Sequence, residues 1–301
     1  MKARIQAVFI VIALLCFGVT IAGAQVVSNG TGGGDWNTTT TWIGGNVPIV
    51  SDNVVIQGSD VVTLAAAGTC ANLTMAAGTK ITLTAMTFPG TSWTLDPAST
   101  VEYVGANPPT FVYANYGNLI WSAGAQSLSS NLTVNGNLSV TGTTAKLKGA
   151  GSALTLVHTV AGNVTVSSTV SPAFDCVDNA NGSATWNIGG NLIVNGIVSG
   201  LASASATTGA TAIINVAGDL TIGASGTLQY GSNAANASPF TLSVKGNFTS
   251  VGTIIKKAGV APGTWTISMD GTSTPQNLSF VTGTSAKSTG VVCTLRVNNP
   301  N

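Results

Sequence analysis

Gly136-Asn137-Leu138, Gly162-Asn163-Val164, Gly190-Asn191-Leu192, Gly218-Asp219-Leu220 and Gly246-Asn247-Phe248 are five copies of one short signature. Gln276-Asn277-Leu278 is a looser sixth. The Asn or Asp falls at 137, 163, 191, 219, 247 and 277, so the steps are 26, 28, 28, 28 and 30 residues. A near-constant step of this size marks a solenoid or an array. Gly117-Asn118-Leu119 and Ala71-Asn72-Leu73 are less regular candidates upstream. Around each signature apolar and polar residues alternate. Val160, Ile188, Val216 and Val244 share the slot two residues before the Gly. His158, Trp186, Ile214 and Leu242 share the slot two residues earlier again. Period-two alternation, rich in Val, Ile and Thr and punctuated by Gly and Asn, reads as half-buried strand.

Two or three such strands in about 28 residues fit one turn of a stacked coil. The expected fold is all-β: a parallel β-helix (solenoid) with about 28-residue coils and an N-terminal cap. The competing β-sandwich array would show turn signals every 8 to 12 residues or so, without one motif at a constant longer step. In the solenoid the apolar slots stack inside. The Asn/Asp slot stacks at a turn, where side-chain amides are expected to hydrogen-bond along the column. The Gly beside it is expected to supply a turn conformation that other residues resist.

Stacking also gives a cause for the composition. Of 301 residues only 10 are Lys or Arg and 9 are Asp or Glu. That is 6% charged, against roughly 25% in an average soluble domain. A column places like residues about 4.8 Å apart, so a repeated charge would repel itself at every rung. Thr, Ser and Asn carry no such penalty. The same numbers exclude a disordered chain, which is poor in apolar residues and rich in charge. They exclude nucleic-acid binding, which needs a basic stripe. They also exclude helical bundles and coiled coils, since Glu102 is the only Glu.

The one stretch apolar enough to span a bilayer lies at the N-terminus. Lys2 and Arg4 precede an apolar run from Ala7 to Ala22, which ends in Ala22-Gly23-Ala24. This reads as a secretion signal, residues 1–24, cut before Gln25. Leu15 before Cys16 is too large for a lipoprotein site. Without Lys2 and Arg4 the balance is 8 basic to 9 acidic residues. Cys70, Cys176 and Cys293 remain, with no metal-binding spacing, and read as buried small hydrophobes. Residues 25–64 form the expected cap and first strands, and 65–301 the repeats. The chain stops just after the strand-like run Val291 to Val297. A solenoid needs a terminal cap, so the sequence reads as part of a longer protein.

The first mature segment contains Gly34-Asp35-Trp36-Asn37, Thr41-Trp42-Ile43-Gly44-Gly45, Val47-Pro48 and Asp52-Asn53-Val54-Val55-Ile56. This opening resembles that of large exported surface, adhesin-like parallel β-helix proteins of Bacteroidetes-like bacteria, often type IX secreted. It is also similar to the start of an eight-glycine extracellular domain of some animal cell-surface proteins. About 25 residues carry the resemblance with any specificity. It implies an exported surface protein and carries over no catalytic residue. Trp36 and Trp42 suit a cap over the open end of the first coil, or alternatively a sugar-stacking platform.

Chemistry is sparse. His158, the only histidine, sits in the slot of Trp186, Ile214 and Leu242 and reads as a core residue rather than a catalytic one. Asp175 and Asp178, with Asn179 and Asn181, form an Asx-rich excursion that is either a turn or a Ca²⁺ site, since Ca²⁺ takes oxygen ligands. Lys146 and Lys148 lie one coil before Asp175, the constellation a polysaccharide lyase or hydrolase of β-helix type would need. The pair Lys256 and Lys257 has no acid near it in sequence. Trp93, Tyr103, Tyr113, Tyr116 and Trp121 are candidate stacking surfaces for a carbohydrate-binding module. The expected function is a non-catalytic, secreted or cell-surface structural or adhesin-like module. Its expected partners are an extracellular polysaccharide or a host or neighbouring cell surface, with no nucleic acid, no cofactor and no membrane span after signal cleavage.

Overall fold

The computed structural model describes residues 23–84, 92–105, 115–151, 153–177, 182–201, 210–231, 238–255, 264–272, 275–280 and 293–298. These residues form four sheets of short strands and no α-helix. Within the sheets the strands pair in parallel. One four-stranded sheet runs from Gln25–Val27 to Ser92–Leu95. An eleven-stranded sheet runs the length of the molecule, from Gly33–Asp35 to Leu278–Phe280. A six-stranded sheet begins at Ala125–Ser127 and an eight-stranded sheet at Asn115–Tyr116. The result is a solenoid-like stack of parallel sheets. Among the described residues no helix is long and apolar enough to cross a membrane.

Alternation drives each strand inward on one side. In Val164–Val166, Leu192–Val194 and Leu220–Ile222 the outer two residues are buried and the middle one is half-exposed. β-branched and large apolar residues fit this pleated, half-buried surface. Leu119, Leu138, Val164, Leu192, Leu220 and Phe248 pair in one column of the eleven-stranded sheet, and each is fully buried. Burying one such side chain contributes about 1.5–3 kcal/mol. The slots read from the repeat also align: His158, Trp186, Ile214 and Leu242 are register partners, as are Val160, Ile188, Val216 and Val244.

The pairing step is not uniform. Val164, Leu192, Leu220 and Phe248 pair at steps of 28. Upstream, Asn53 pairs with Asn72 and Asn72 with Ser92, steps of 19 and 20. Leu119 pairs with Leu138 at a step of 19. The longer step sets in once the strands of the six-stranded sheet, such as Lys146–Lys148 and Phe174–Val177, are inserted between the other two. A single step of about 28 therefore describes the later pairings, not the chain from residue 53 to 138. The signature was too irregular upstream to reveal the shorter step.

Candidate functional site

The repeated corner is the most ordered polar feature of the molecule. The backbone N–H of Asn137 donates to Oδ1 of Asn118, that of Asn163 to Asn137, and that of Asn191 to Asn163, each at 2.8 Å. The series continues through Asp219 on Asn191, Asn247 on Asp219 and Asn277 on Asn247. Each side-chain oxygen thus accepts the main-chain N–H of the next rung. The bond differs from the amide-to-amide stacking expected from the sequence. It uses only an acceptor, which both Asn and Asp possess, and this explains why Asp219 fits between Asn191 and Asn247.

The preceding Gly has a different reason from the one expected. None of Gly136, Gly162, Gly190, Gly218 and Gly246 has a positive φ. A Cβ at Gly218 would instead stand 2.2 Å from Oδ1 of Asn191, and one at Gly136 2.3 Å from Oδ1 of Asn118. The side chain of one rung fills the space that a side chain on the next would need. Gly and Asx are required by each other.

Beside this column, where the eight-stranded sheet turns toward the eleven-stranded one, lies an open groove of about 360 Å³. One side carries Thr159, Asn187, Asn215 and Ser243, which are register partners. The other carries the exposed Ala161, Gly189, Ala217 and Lys245. Asn215 Nδ2 donates to Asn187 Oδ1 at 2.9 Å. The polar row continues as the hydroxyls of Ser243 and Ser268 and the amide of Asn298 donate to Asp270. Burial alone would raise the Asp270 carboxyl, but those bonds and the Arg296 charge outweigh it and hold it below the usual range. The groove lining itself includes no carboxylate, imidazole or thiol. It presents neutral hydrogen-bonding groups and carbon, repeated at every rung, and sequence reasoning did not single it out. The Thr/Asn/Asn/Ser row at one fixed offset was the available signal.

The aromatics read as stacking surfaces are placed otherwise. Trp93, Tyr103, Tyr116 and Trp121 are buried, so none offers a ring face to a sugar. Tyr103 and Tyr116 share a hydrogen bond of 2.9 Å between hydroxyls, and Trp121 Nε1 donates to Gly124 O. Parity carried the signal: Trp121 shares a strand face with Leu119, and Tyr103 with Val101. Trp36 and Trp42 are buried too, edge to face at 5.1 Å, which removes the sugar-platform alternative. Tyr113 and Asp178 lie outside the described residues, as do Asn179, Asn181 and residues 1–22.

Lys146 and Asp175 do meet, with Nζ 3.4 Å from Oδ2. Asp175 has no exposed surface, so it cannot reach a proton on a polymeric substrate. Among the described residues no three His, Cys, Asp or Glu side chains gather as metal ligands. His158 is buried; Leu132 N–H donates to its Nδ1, which leaves Nε2 to donate to Gly149 O at 2.7 Å. Burial outweighs the Gly149 bond and lowers its pKa to about 4, so the ring is neutral near pH 7. Cys70 and Cys176 are buried free thiols, with burial pushing Cys70 up to about 12. Comparison with protein-family models, with curated proteins and with solved structures finds no match.

Proposed function

We propose that the chain is an exported, non-catalytic β-solenoid that serves as a structural or adhesin-like module outside the cell. One observation carries this reading: a continuous run of parallel rungs whose polar groups are spent on joining one rung to the next. The Asx column and the Asp270 cluster are both of this kind. A stack bonded along its axis is a stiff spacer, which suits a surface stalk of the type the opening residues resemble. In this reading the chain winds as a parallel β-helix, with short turns first and turns of about 28 residues after them. Residues 25–64, with the buried Trp36 and Trp42, close its first turn. Residues 1–24 direct export, and Gln25 begins the mature chain.

Fractionation of cells producing the full chain tests this, with amino-terminal sequencing of the product. The expected result is protein outside the inner membrane beginning at Gln25, with surface attachment reduced in a deletion strain. Protein retained in the cytoplasm with Met1 intact would overturn the reading.

A further inference from the structure

We propose that the groove beside the Gly–Asx column binds a neutral, extended polysaccharide lying along the stack. This deepens the extracellular reading above by naming the partner, and rests on it for where that partner is met. The groove meets its occupant with the same groups at every rung: Thr159, Asn187, Asn215 and Ser243 stand in register. Rungs lie about 4.7–4.9 Å apart. An occupant that uses successive rungs must repeat at nearly that spacing. An extended peptide advances about 3.2–3.4 Å per residue and a polyproline helix about 3.1 Å, so both fall out of step within two rungs. A pyranose in an extended 1,4-linked chain advances by close to one rung, so successive sugars meet equivalent groups.

The chemistry of the lining agrees. Sugar hydroxyls donate and accept, and amides and hydroxyls can answer both roles. The Asn187–Asn215 bond uses one amide hydrogen of Asn215 and the oxygen of Asn187. That bond leaves the Asn187 NH₂ and the Asn215 oxygen to face an occupant. The carbon of Ala161 and Ala217 suits the C–H faces of the rings. Charge argues for a neutral polymer: Lys245 is the one charged lining residue, where a polyanion would call for a cation at each rung. Lys245 occupies the position held by Ala161, Gly189 and Ala217 on earlier rungs, so a bulky side chain is tolerated at that position.

The test is calorimetric titration of the purified protein with cello-, xylo-, manno- and N-acetylchito-oligosaccharides of increasing length. At least one series is expected to bind, about tenfold tighter for four units than for two, and with little change when salt rises several-fold. Ala217→Lys copies the residue of the fourth rung and is expected to weaken binding by about tenfold or more with an unchanged melting temperature. Should that variant melt early, Asn215→Ala with Ser243→Ala serves the same purpose. Thr221→Lys, on the eleven-stranded sheet, is the control and should bind as the parent does. Absence of binding to every neutral hexasaccharide would overturn the proposal. So would equal binding by the groove variants, or salt-sensitive binding of anionic oligosaccharides alone. Failure of export in the fractionation experiment would leave a positive titration standing, so the two readings fail separately.

Discussion

At each corner a glycine and a side-chain oxygen share one small volume. Gly218→Ala would drive a methyl to 2.2 Å from Asn191 Oδ1, and overpacking of this kind costs about 1–3 kcal/mol. Urea denaturation should show that loss, and adding Asn191→Ala should recover part of it by vacating the space. The column is equally sensitive to charge. Asn191→Asp would set a second carboxylate one rung from Asp219. Like charges directly opposite on neighbouring strands destabilise, here by about 1 kcal/mol at neutral pH. The loss should disappear in acid, where the new carboxyl is protonated, and Asp219→Asn should cost little. His158 sets another pH limit. Its folded pKa of about 4 lies below the model value of 6.5, so the unfolded chain binds the proton more readily. Stability is complete above pH 6.5 and is lost as pH falls toward 4, by about 3 kcal/mol at 1.36 kcal/mol per pH unit. His158→Phe should flatten that slope in urea midpoints between pH 7 and 4, at the cost of two hydrogen bonds.

Among the elements, the glycine-rich turn before Gly33–Asp35 depends on one carboxylate. Asp60 is buried and accepts the N–H of Gly30 at 2.7 Å and of Gly32 at 2.8 Å. Gly33 has φ +80°, and a Cβ there would lie 2.3 Å from Val61 O, so only glycine permits the approach. Burial alone would raise the Asp60 carboxyl, but bonds from the Ser28 hydroxyl and the N–H groups of Gly32, Gly30 and Gly33 outweigh it and lower its pKa. The stability it adds is therefore present above pH 3.8 and lost as pH falls below that. Asp60→Ala should cost about 1.5–3 kcal/mol, the range for bonds to a charged group, with hydrogen exchange rising first at residues 28–36. Little of this turn was legible in the sequence, because Asp60 lies 28 residues from Gly32 and belongs to no repeated motif. The later strands were legible: Gly, Asx and the alternating Val and Leu recur in them, and the register follows. The upstream pairings at 19 and 20 were not, since Asn53 and Asn72 lack the neighbouring glycine. Burial of Trp93 and Tyr116 was missed because an aromatic was read by its chemistry and not by its parity within the strand.

On the scale of the whole molecule, each rung touches only its neighbours, so damage should stay local. Leu192→Ala empties one position of the buried column between Val164 and Leu220 and should cost about 2–5 kcal/mol. Hydrogen exchange is expected to rise in the strands on either side of it and to remain unchanged in Asn53–Ile56, whereas a globally cooperative domain would lose protection everywhere. The Asx column has a further consequence for how the chain can be edited. The same oxygen-to-N–H joint closes each corner whether 19, 26, 28 or 30 residues separate its two partners. The joint is indifferent to the length of chain between its halves. Removing residues 163–190 would bring Asn191 directly after Gly162, next to Asn137, with the joint and the inward parity preserved. Such a shortened chain should fold with the parent's strand signature, while a cut of the same size begun mid-strand should not. The molecule is divisible at its corners, and its length is free to change in whole turns.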